Sequence, residues 1–255
     1  MKLSIITINY NNKKGLKKTI RSLKKQKNIK KYQYEYLVVD GSSNDGSTNL
    51  IRNNSLITNY KIEKDKGIAD AFNKGINLAK GKYVYFLNSA DTFYDNYSLK
   101  NILETLNNKD IYIFKIAVVD KKNVVINLSN NFVSLTKQKY RNYLPHQGMV
   151  IKKTLFKRYG KYDVSYKLGM DYEWSTRLLK ERKNLKILFL NKLVARMLND
   201  GVSLKHYIKT FMAYHKAREK NDVINSFYSL IISILFILRR ALGSILRKLI
   251  NNLML

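Results

Sequence analysis

The sequence of 255 residues contains no cysteine, a single proline (Pro145) and only three histidines. Without cysteine, disulfides and thiolate metal sites are excluded, and three widely spaced histidines disfavour a histidine-rich metal cage. Any bound metal would have to be held by carboxylates, which suits hard cations such as Mg²⁺ or Mn²⁺. The scarcity of proline also removes the usual punctuation between domains.

Acidic residues are few as well: 18 Asp and Glu stand against 48 Lys and Arg, so the net charge is +30. Such a balance favours polyanionic partners, either nucleic acid or the phosphate surface of a membrane. A selected basic surface is one explanation, and A+T-rich coding, which enriches Lys, Asn, Ile and Tyr together, is the other. Because the basic residues are spread along the chain and form no known nucleic-acid motif, no nucleic-acid partner is expected.

The N-terminus lacks a long apolar segment. The apolar stretch Ser4–Ile8 ends at Asn9, and no small-residue cleavage site follows, so we expect no signal peptide and a catalytic part that stays in the cytoplasm. Hydrophobic residues nevertheless make up 45 % of the chain, enough for one sizeable core.

Short apolar runs alternate with helix-spaced apolar residues along the first half of the chain. The runs at 3–8, 36–39 and 83–87 predict buried strands. The segments between them carry apolar residues at helical spacing, which predicts βαβ units and an α/β fold with a mostly parallel central sheet flanked by helices. Later elements are predicted less directly, as strands at 111–119, 124–128 and 185–190 and a helix at 170–181.

The last segment, 223–255, changes character. Its run 227–238 is almost wholly apolar but shorter than the roughly 20 residues that span a bilayer. The apolar stripe from Leu242 to Leu253 is typical of an amphipathic helix lying in the membrane plane. We therefore expect a catalytic domain over 1–222 and membrane-associated helices over 223–255. The alternative is that these helices pack on the catalytic domain or on a second subunit, for which a homodimer is possible.

Two carboxylates come at the ends of predicted strands. Asp40 ends the second strand before a Gly/Ser turn, and Asp91 follows the third. In open α/β sheets, ligands bind outside the carboxyl ends of the strands. Two acids there are able to hold a ribose or base edge and a divalent cation. The other interpretation is that both are turn or cap residues, which Asp favours.

Four blocks of sequence, in order, resemble the family 2 glycosyltransferases, which have a GT-A fold. The blocks are Ile5–Asn11, Val38–Ser47, Asp65–Gly75 with its continuation through Gly81 to Asp91, and a fourth that comprises His146–Gly148, Gly160–Asp163 and Gly169–Trp174. Each block alone is a weak signal, but together they cover the chain from Leu3 to about Ser203. The resemblance implies a nucleotide-diphospho-sugar transferase of the bacterial surface-polysaccharide type.

The resemblance also implies roles for individual residues. Those matched to nucleotide-sugar binding are Asn9, Tyr10, Asp40, Asp70, Asn73 and Ser89. Within this set, Tyr10 offers a ring face to the base and Asp40 accepts a base N–H. Asp91 matches a ligand of a divalent metal, Mn²⁺ or Mg²⁺, and Asp171 matches the general base. In one departure from the common metal motif, Ser89 replaces the first acid and Ala90 a usual glycine, which leaves Asp91 as the direct ligand.

Three side chains of the fourth block have two interpretations each. His146 either bonds to the backbone in the core or a loop, or contacts the acceptor or diphosphate. Trp174 is either a core residue or part of an acceptor wall. Glu173 is an alternative base or acceptor contact, but on a helix it points about 200° away from Asp171, so only one of the two can face a cleft.

These inferences predict an inverting glycosyltransferase that moves a sugar from a nucleotide-diphosphate donor to a hydroxyl of a lipid-linked or polysaccharide acceptor. A metal would stabilise the charge on the leaving diphosphate, and one base with one direct displacement inverts the anomeric carbon. The expected location is the cytoplasmic face of the cell membrane, bound peripherally to its anionic surface. A nucleotidyltransferase and a catalytically inactive subunit of a glycosyltransferase complex remain alternatives.

Overall fold

The computed structural model describes residues 1–129 and 135–253, with no side chain described at 202, 204 or 244–253. Its described part contains one nine-stranded sheet. The strands are β1 (Leu3–Asn9), β2 (Tyr34–Asp40), β3 (Asn59–Ile62), β4 (Tyr83–Phe86), β5 (Thr92–Phe93), β6 (Ile111–Val119), β7 (Val125–Leu128), β8 (Met149–Lys152) and β9 (Ile187–Leu198). They lie in the order β3-β2-β1-β4-β8-β6-β9-β5, and β7 pairs with β6.

The sheet has a parallel half and a mixed half. Strands β3, β2, β1 and β4 are all parallel, so their carboxyl ends lie at one edge. Beyond them, β8 runs antiparallel to both β4 and β6, and β9 runs parallel to β6. The predicted α/β architecture with a mostly parallel sheet is therefore confirmed for β3, β2, β1 and β4, and the pairing becomes mixed from β8 onward.

Helices cover both faces of this sheet. They are α1 (Lys13–Lys24), α2 (Ser47–Arg52), α3 (Ile68–Leu78), α4 (Ser98–Thr105), α5 (Thr154–Arg158), α6 (Met170–Arg177), α7 (Val202–Lys205), α8 (Tyr207–Lys220) and α9 (Ser226–Leu253). One core takes side chains from α1, α2 and α4, and the other from α3, α5 and α6. Successive strand residues alternate between them, so Tyr85 enters the first core and Phe86 the second. Burial on both faces explains why these strands are continuously apolar.

The loops after β1, β2 and β4 meet at the carboxyl edge of the parallel half. Asn9 at the end of β1 lies opposite Asp40 at the end of β2. The chain after β4 follows the same edge, because the backbone N–H of Ser89 donates to the carbonyl of Ile8 at 3.3 Å. Helix α3 lies close beneath, since a Cβ on Gly75 would come within 2.5 Å of Cγ2 of Ile6.

Helices α8 and α9 form a hairpin that is fastened by a buried arginine. Arg218 of α8 is fully buried, and its guanidinium donates to the hydroxyl and the carbonyl of Ser229 at 2.9 Å each. It also contacts the hydroxyl of Ser233, one turn further along α9. The two serines in the apolar run thus face inward. Phe236 continues this inner face and stacks on Phe211 with ring centres 5.5 Å apart.

The opposite, outer face of α9 is apolar and exposed. It comprises Phe227, Tyr228, Leu230, Ile231, Ile234, Leu235, Leu238 and Leu242. By length and composition alone, the 18 residues Ser226–Gly243 are able to cross a membrane, with a mean hydropathy of 1.5 and 11 % of the window buried. The two apolar segments predicted as separate helices form one continuous helix. Most of the stripe predicted over 242–253 lies outside the described side chains.

Two other elements differ in length from their prediction. The helix predicted over 170–181 ends at Arg177, because the hydroxyl groups of Ser175 and Thr176 bond back to carbonyls three residues earlier and compete with helical bonding. The strand predicted at 185–190 begins at Ile187 and continues to Leu198, since its pairing with β6 extends past the apolar run. Strand β8 was not predicted, because four residues give too short a pattern.

We expect Arg218→Met to lower the free energy of unfolding by about 1–3 kcal/mol, because buried oxygens of α9 lose their donor. Urea denaturation of the purified chain measures this change. Lys209→Met removes the same charge from an exposed position of α8 and should change stability by less than about 0.5 kcal/mol. Equal stability of the two variants would contradict the role of Arg218 in fastening α9.

Candidate active site

An open cleft of about 1800 Å³ lies at the carboxyl edge of the parallel strands. Its walls are the loops after β1, β2 and β4, the segments 141–147 and 167–171, and the end of β9. The predicted site residues that line it are Asn9, Tyr10, Ser89, Asp91, His146 and Asp171. Those outside the lining are Asp40, Asp70, Asn73, Glu173 and Trp174.

A buried hydrogen-bond network joins the ends of β1, β2 and β4. The side-chain amide of Asn9 donates to Asp40 Oδ2 at 2.7 Å, and its Oδ1 accepts from the hydroxyl of Ser89 at 2.7 Å. Asp40 is fully buried and also accepts from the backbone N–H and hydroxyl of Ser43, at 2.7 and 2.8 Å. Its carboxylate closes the turn after β2 and lies behind the cleft lining rather than in it.

Tyr10 follows Asn9 directly after β1, and 68 % of the residue is exposed. The backbone of Gly41 passes beside it, since a Cβ on that glycine would lie 3.0 Å from Cδ2 of Tyr10 and 3.0 Å from a carboxylate oxygen of Asp65. An open aromatic face at the sheet edge is a surface on which a planar base can stack.

Asp91 is the buried carboxylate of the loop after β4, and only 5 % of the residue is exposed. Its Oδ1 accepts from the backbone N–H of Leu198 and its Oδ2 from the side chain of Gln147, both at 3.2 Å. Burial raises the pKa of Asp91 to about 7, and these hydrogen bonds together with the charge of Lys18 offset only part of that effect. A cation beside this carboxyl would favour its ionised form.

The loop that carries Asp91 has two energetically unfavourable features. Ala90 has a φ of 82°, in the left-handed region that favours glycine. The side-chain oxygen of Asn88 is buried and has no hydrogen-bond partner within the described part of the chain. Left unpaired, such an acceptor costs about 1–3 kcal/mol. Strain and unpaired acceptors of this kind concentrate at binding sites.

Side-chain oxygen atoms of Asn88, Ser89 and Asp91 are the metal ligands that this loop can provide. Hard cations such as Mg²⁺ and Mn²⁺ prefer oxygen ligands of this type. Across residues 1–129 and 135–253, however, no three Asp, Glu, His or Cys side chains come together in a cage. The residues therefore fit a cation that shares its coordination sphere with phosphate oxygens of a ligand and with water.

Asp171 lies in the first turn of α6, half-buried on the cleft wall. Its Oδ2 accepts from the side-chain amide of Asn142 at 2.7 Å. Gly169, with a φ of 70°, begins the helix, and a Cβ there would come within 2.9 Å of the Tyr214 ring. A carboxylate that is oriented by one hydrogen bond and still open to the cleft is suited to accept a proton from a bound hydroxyl.

His146 lies beneath Asp171, between the core and the cleft. Its Nε2 is 2.9 Å from the hydroxyl of Tyr162, and its ring stacks on Phe86 with ring centres 4.8 Å apart. Burial lowers the pKa of His146, an effect that the Asp171 carboxylate opposes. The core interpretation thus describes its bonding, although to a side chain rather than to the backbone, and its edge also contributes to the cleft wall.

Glu173 and Trp174 lie in the core and outside the cleft lining, as the core interpretation of Trp174 predicts. Glu173 is fully buried and pairs with Arg177, whose Nε lies 2.9 Å away. Trp174 is 1 % exposed, donates from Nε1 to the carbonyl of Gly160 at 2.9 Å and packs on Phe156. The helix turns both residues toward the core once Asp171 faces the cleft.

Asp70 and Asn73 also lie outside the cleft lining. Asp70 accepts from the backbone N–H of Lys66 at 2.9 Å and pairs with Lys74 at 3.1 Å. Asn73 holds the backbone of Tyr162 through two hydrogen bonds of 2.8 and 3.0 Å. Both residues fasten loops that border the site.

Lining residues outside the predicted set include Asp65, Asn142 and Arg240. Asp65 pairs with Lys74 at 2.6 Å, and burial raises its pKa against the opposing effect of that lysine. Its position at the start of the third block was an available signal. Asn142 and Arg240 had none, because folding alone brings them to the cleft. Arg240 lies on the inner face of α9, over the ring of Tyr207 at 5.4 Å.

Comparison with known sequences gives a family match over much of the chain. The model described as Glycosyl transferase family 2 matches residues 4–168. An uncharacterized glycosyltransferase of Mycobacterium tuberculosis is 28 % identical over 183 residues, which are 69 % of this chain and 68 % of the relative. The poly(ribitol-phosphate) beta-N-acetylglucosaminyltransferase TarP of Staphylococcus aureus is 33 % identical over 126 residues, which are 47 % of this chain and 38 % of TarP.

Solved structures share the fold. Staphylococcus aureus TarS 1-349 in complex with UDP gives a TM-score of 0.66 at 20 % identity, over 93 % of this chain and 71 % of that one. The mannosyltransferase PcManGT from Pyrobaculum calidifontis, in complex with GDP-Man and Mn²⁺, gives 0.60 at 14 % identity, over 97 % and 79 %. The fold class predicted from the sequence is confirmed by these likenesses.

The raised pKa of Asp91 predicts a pH-dependent stability. Between its ordinary pKa of 3.8 and its value of about 7 in the folded chain, the folded form holds one more proton than the unfolded form. This group's contribution to the free energy of unfolding should therefore fall as pH rises through that window and stay constant above it. Asp91→Asn cannot release this proton, so its stability relative to the wild type should increase with pH.

Urea denaturation of both proteins at several pH values from about 5 to about 8 measures the difference, in which the other titrating groups cancel. A stability difference that does not change with pH would contradict the burial-raised pKa of Asp91.

Proposed function

Because this chain belongs to glycosyl transferase family 2, we propose that its cleft transfers a sugar from a nucleotide-diphosphate donor to an acceptor hydroxyl, with inversion at the anomeric carbon. This proposal rests on one observation. The buried carboxyl of Asp91 and the oriented carboxylate of Asp171 line the same cleft. The two acids have different surroundings, as a metal-binding and a proton-accepting role require.

The donor is a nucleotide sugar whose base stacks on Tyr10. The ring lines the cleft, and 68 % of the residue is exposed, so one face is accessible to a base. TarS structures in complex with UDP and with UDP-GlcNAc support a UDP-sugar as the first donor to test, while PcManGT was solved with GDP-Man. Asp40 supports this subsite through Asn9 and Ser43 rather than from the cleft lining.

Oxygens of Asp91, Asn88 and Ser89 would hold a divalent cation together with the diphosphate. When bound, the cation supplies charge stabilisation for the leaving nucleoside diphosphate. Asp91 contributes the negative charge, and the unpaired oxygen of Asn88 contributes a neutral ligand that needs no deprotonation. PcManGT, whose structure holds Mn²⁺, supports testing manganese first.

Asp171 acts as the general base. An acceptor hydroxyl is a weak nucleophile near neutral pH, and a carboxylate within hydrogen-bond reach can remove its proton as it attacks. Asn142 fixes the orientation of the carboxylate. A single base with one direct displacement gives inversion. The acceptor is a polysaccharide or a lipid-linked saccharide. The name of TarP, which specifies poly(ribitol-phosphate), supports a polymeric acceptor rather than a small molecule.

We assign the catalytic domain to residues 1–222 and membrane association to residues 223–255, at the cytoplasmic face of the membrane. The outer face of α9 exposes a continuous apolar surface, whereas its inner face is held on α8 by Arg218. A helix that is fastened to the protein through residues 229–240 is suited to lie in the plane of a membrane, with its apolar side in the lipid interface. Arg240 then lies at both the membrane-facing helix and the cleft, which suits an acceptor carried by a lipid.

We expect Asp171→Asn to reduce the transfer rate by at least about 100-fold while nucleotide binding stays unchanged, because a base acts in the chemical step. Transfer from a labelled nucleotide sugar and calorimetric titration with UDP measure the two quantities. Asp70→Asn is the matched control, since that acid lies outside the cleft lining, and it should keep most of the activity. Lost nucleotide affinity with an unchanged rate in Asp171→Asn would place the base elsewhere.

The outer face of α9 should bind lipid. We expect Leu235→Asn/Leu238→Asn to bind anionic liposomes about tenfold more weakly, because two exposed leucines no longer enter the interface. Flotation on a density gradient measures the bound fraction. Val124→Asn/Val164→Asn replaces two exposed valines outside α9 and should float like the wild type. Equal flotation of the two double variants would contradict the membrane role of α9.

A further inference from the structure

Helix α1 carries a stripe of basic side chains. Lys14, Lys18, Arg21 and Lys25 follow one another at steps of four, three and four residues, the last at the C-terminal cap. This spacing places them on one face of the helix. All four line a groove of about 390 Å³ beside α1. At a rise of ~1.5 Å per residue, the stripe is about 16 Å long.

The other wall of the groove adds a fifth cation. The guanidinium of Arg196 in β9 lies over the ring of Tyr94 at 4.7 Å and donates to its carbonyl at 3.2 Å. The single acid among the lining residues, Asp95, accepts from the backbone N–H of Tyr97 at 2.8 Å and from the hydroxyl of Ser98 at 2.9 Å. The groove is therefore strongly positive along its length.

These five cations form no salt bridge with any residue that the structure describes. The contrast with Lys74 is informative, because that lysine is paired with Glu63, Asp65 and Asp70 at 2.6 to 3.1 Å. Three of the 18 acidic residues of the chain thus pair with one lysine at the border of the site. The positive charges of the groove have no such acidic partners among the described residues. Neighbouring like charges repel one another, and a bound polyanion would remove that cost.

The groove is continuous with the cleft. Lys14 and Lys18 line both, and the charge of Lys18 acts on Asp91. An extended anion that follows the stripe would thus end at the edge where Asp91 lies. We infer that the groove binds an acceptor chain that carries phosphodiesters, holding it by its phosphates while one of its hydroxyl groups enters the cleft. This inference rests on the proposed glycosyl transfer and specifies its acceptor class.

The surroundings of the groove favour a polyanionic chain over a bilayer. No residue of its lining is among the large exposed apolar side chains, whereas a surface that enters a lipid interface presents such residues. A concave groove is also better suited to bind one extended chain than to bind the flat surface of a bilayer. A single-stranded nucleic acid would need open rings for its bases, but the ring of Tyr94 is covered by Arg196.

A pair of matched double variants tests the inference. Arg21→Gln/Lys25→Gln changes the groove but not the cleft lining, and Lys17→Gln/Lys24→Gln changes exposed positions of the same helix outside both. Each removes two positive charges. Binding of linear inorganic polyphosphate near physiological salt should weaken about tenfold in the groove variant and less than about twofold in the control, with a shallower salt dependence in the groove variant only.

Titration with UDP separates this inference from the proposed function. UDP should bind the wild type and both double variants equally, and failure of the wild type to bind it would count against the nucleotide-sugar site instead. With a polyol-phosphate polymer as acceptor, the groove variant should raise KM about tenfold with kcat unchanged, and a neutral oligosaccharide acceptor should be unaffected.

Three results would overturn the inference. Equal weakening in both double variants would attribute polyphosphate binding to net charge alone. Unchanged polyphosphate binding in the groove variant would remove the site. Selective loss of binding to anionic vesicles or to single-stranded DNA, with polyphosphate binding retained, would assign the groove to a membrane or to nucleic acid.

Discussion

The geometry of the cleft depends on how the side chain of Asn9 is held between neighbouring strands. Its amide nitrogen donates to the buried Asp40, so its oxygen points toward residue 89 and requires a donor there. A serine hydroxyl can donate, whereas an ionised carboxylate cannot. Ser89, which departs from the common form of the family's metal motif, is thus the residue that completes this network. The substitution leaves Asp91 as the carboxylate of the loop.

A single buried carboxyl has different electrostatics from an acidic pair. Burial disfavours its ionised form and raises the pKa of Asp91 to about 7, while the strained Ala90 and the unpaired oxygen of Asn88 add further energetic costs in the same loop. A cation and a diphosphate bound together would pair the Asp91 carboxylate and the Asn88 oxygen. Donor and metal are therefore expected to bind cooperatively, since each supplies contacts that the other lacks.

Much of the fold was predictable from the sequence, because β1, β2 and β4 are apolar runs that end in polar turns, and α1 and α3 repeat apolar residues at helical spacing. The ordered blocks also located Tyr10, Asp91 and Asp171 at the cleft. Asp70, Asn73 and Glu173 lie outside the cleft lining. A match to a sequence block identifies positions but does not show which face of a helix they occupy. Asn142 and Arg240 come from distant segments of the chain, and no local sequence pattern predicts that they line the cleft. Likewise, nothing local distinguishes Ser229 and Ser233 as partners of the buried Arg218.

The function proposed for the cleft requires that it break the bond between a sugar and a nucleoside diphosphate. The most direct measurement is the identity of the phosphate product when the protein is incubated with a panel of UDP- and GDP-sugars in the presence of Mn²⁺ or Mg²⁺. Release of a nucleoside diphosphate from one of these donors by the wild type, and its loss in Asp91→Asn, is the predicted result. Release of pyrophosphate from nucleoside triphosphates and sugar phosphate would instead identify a nucleotidyltransferase. Retained nucleotide binding without turnover of any donor would identify an inactive subunit. Either of these two results would contradict glycosyl transfer by this cleft.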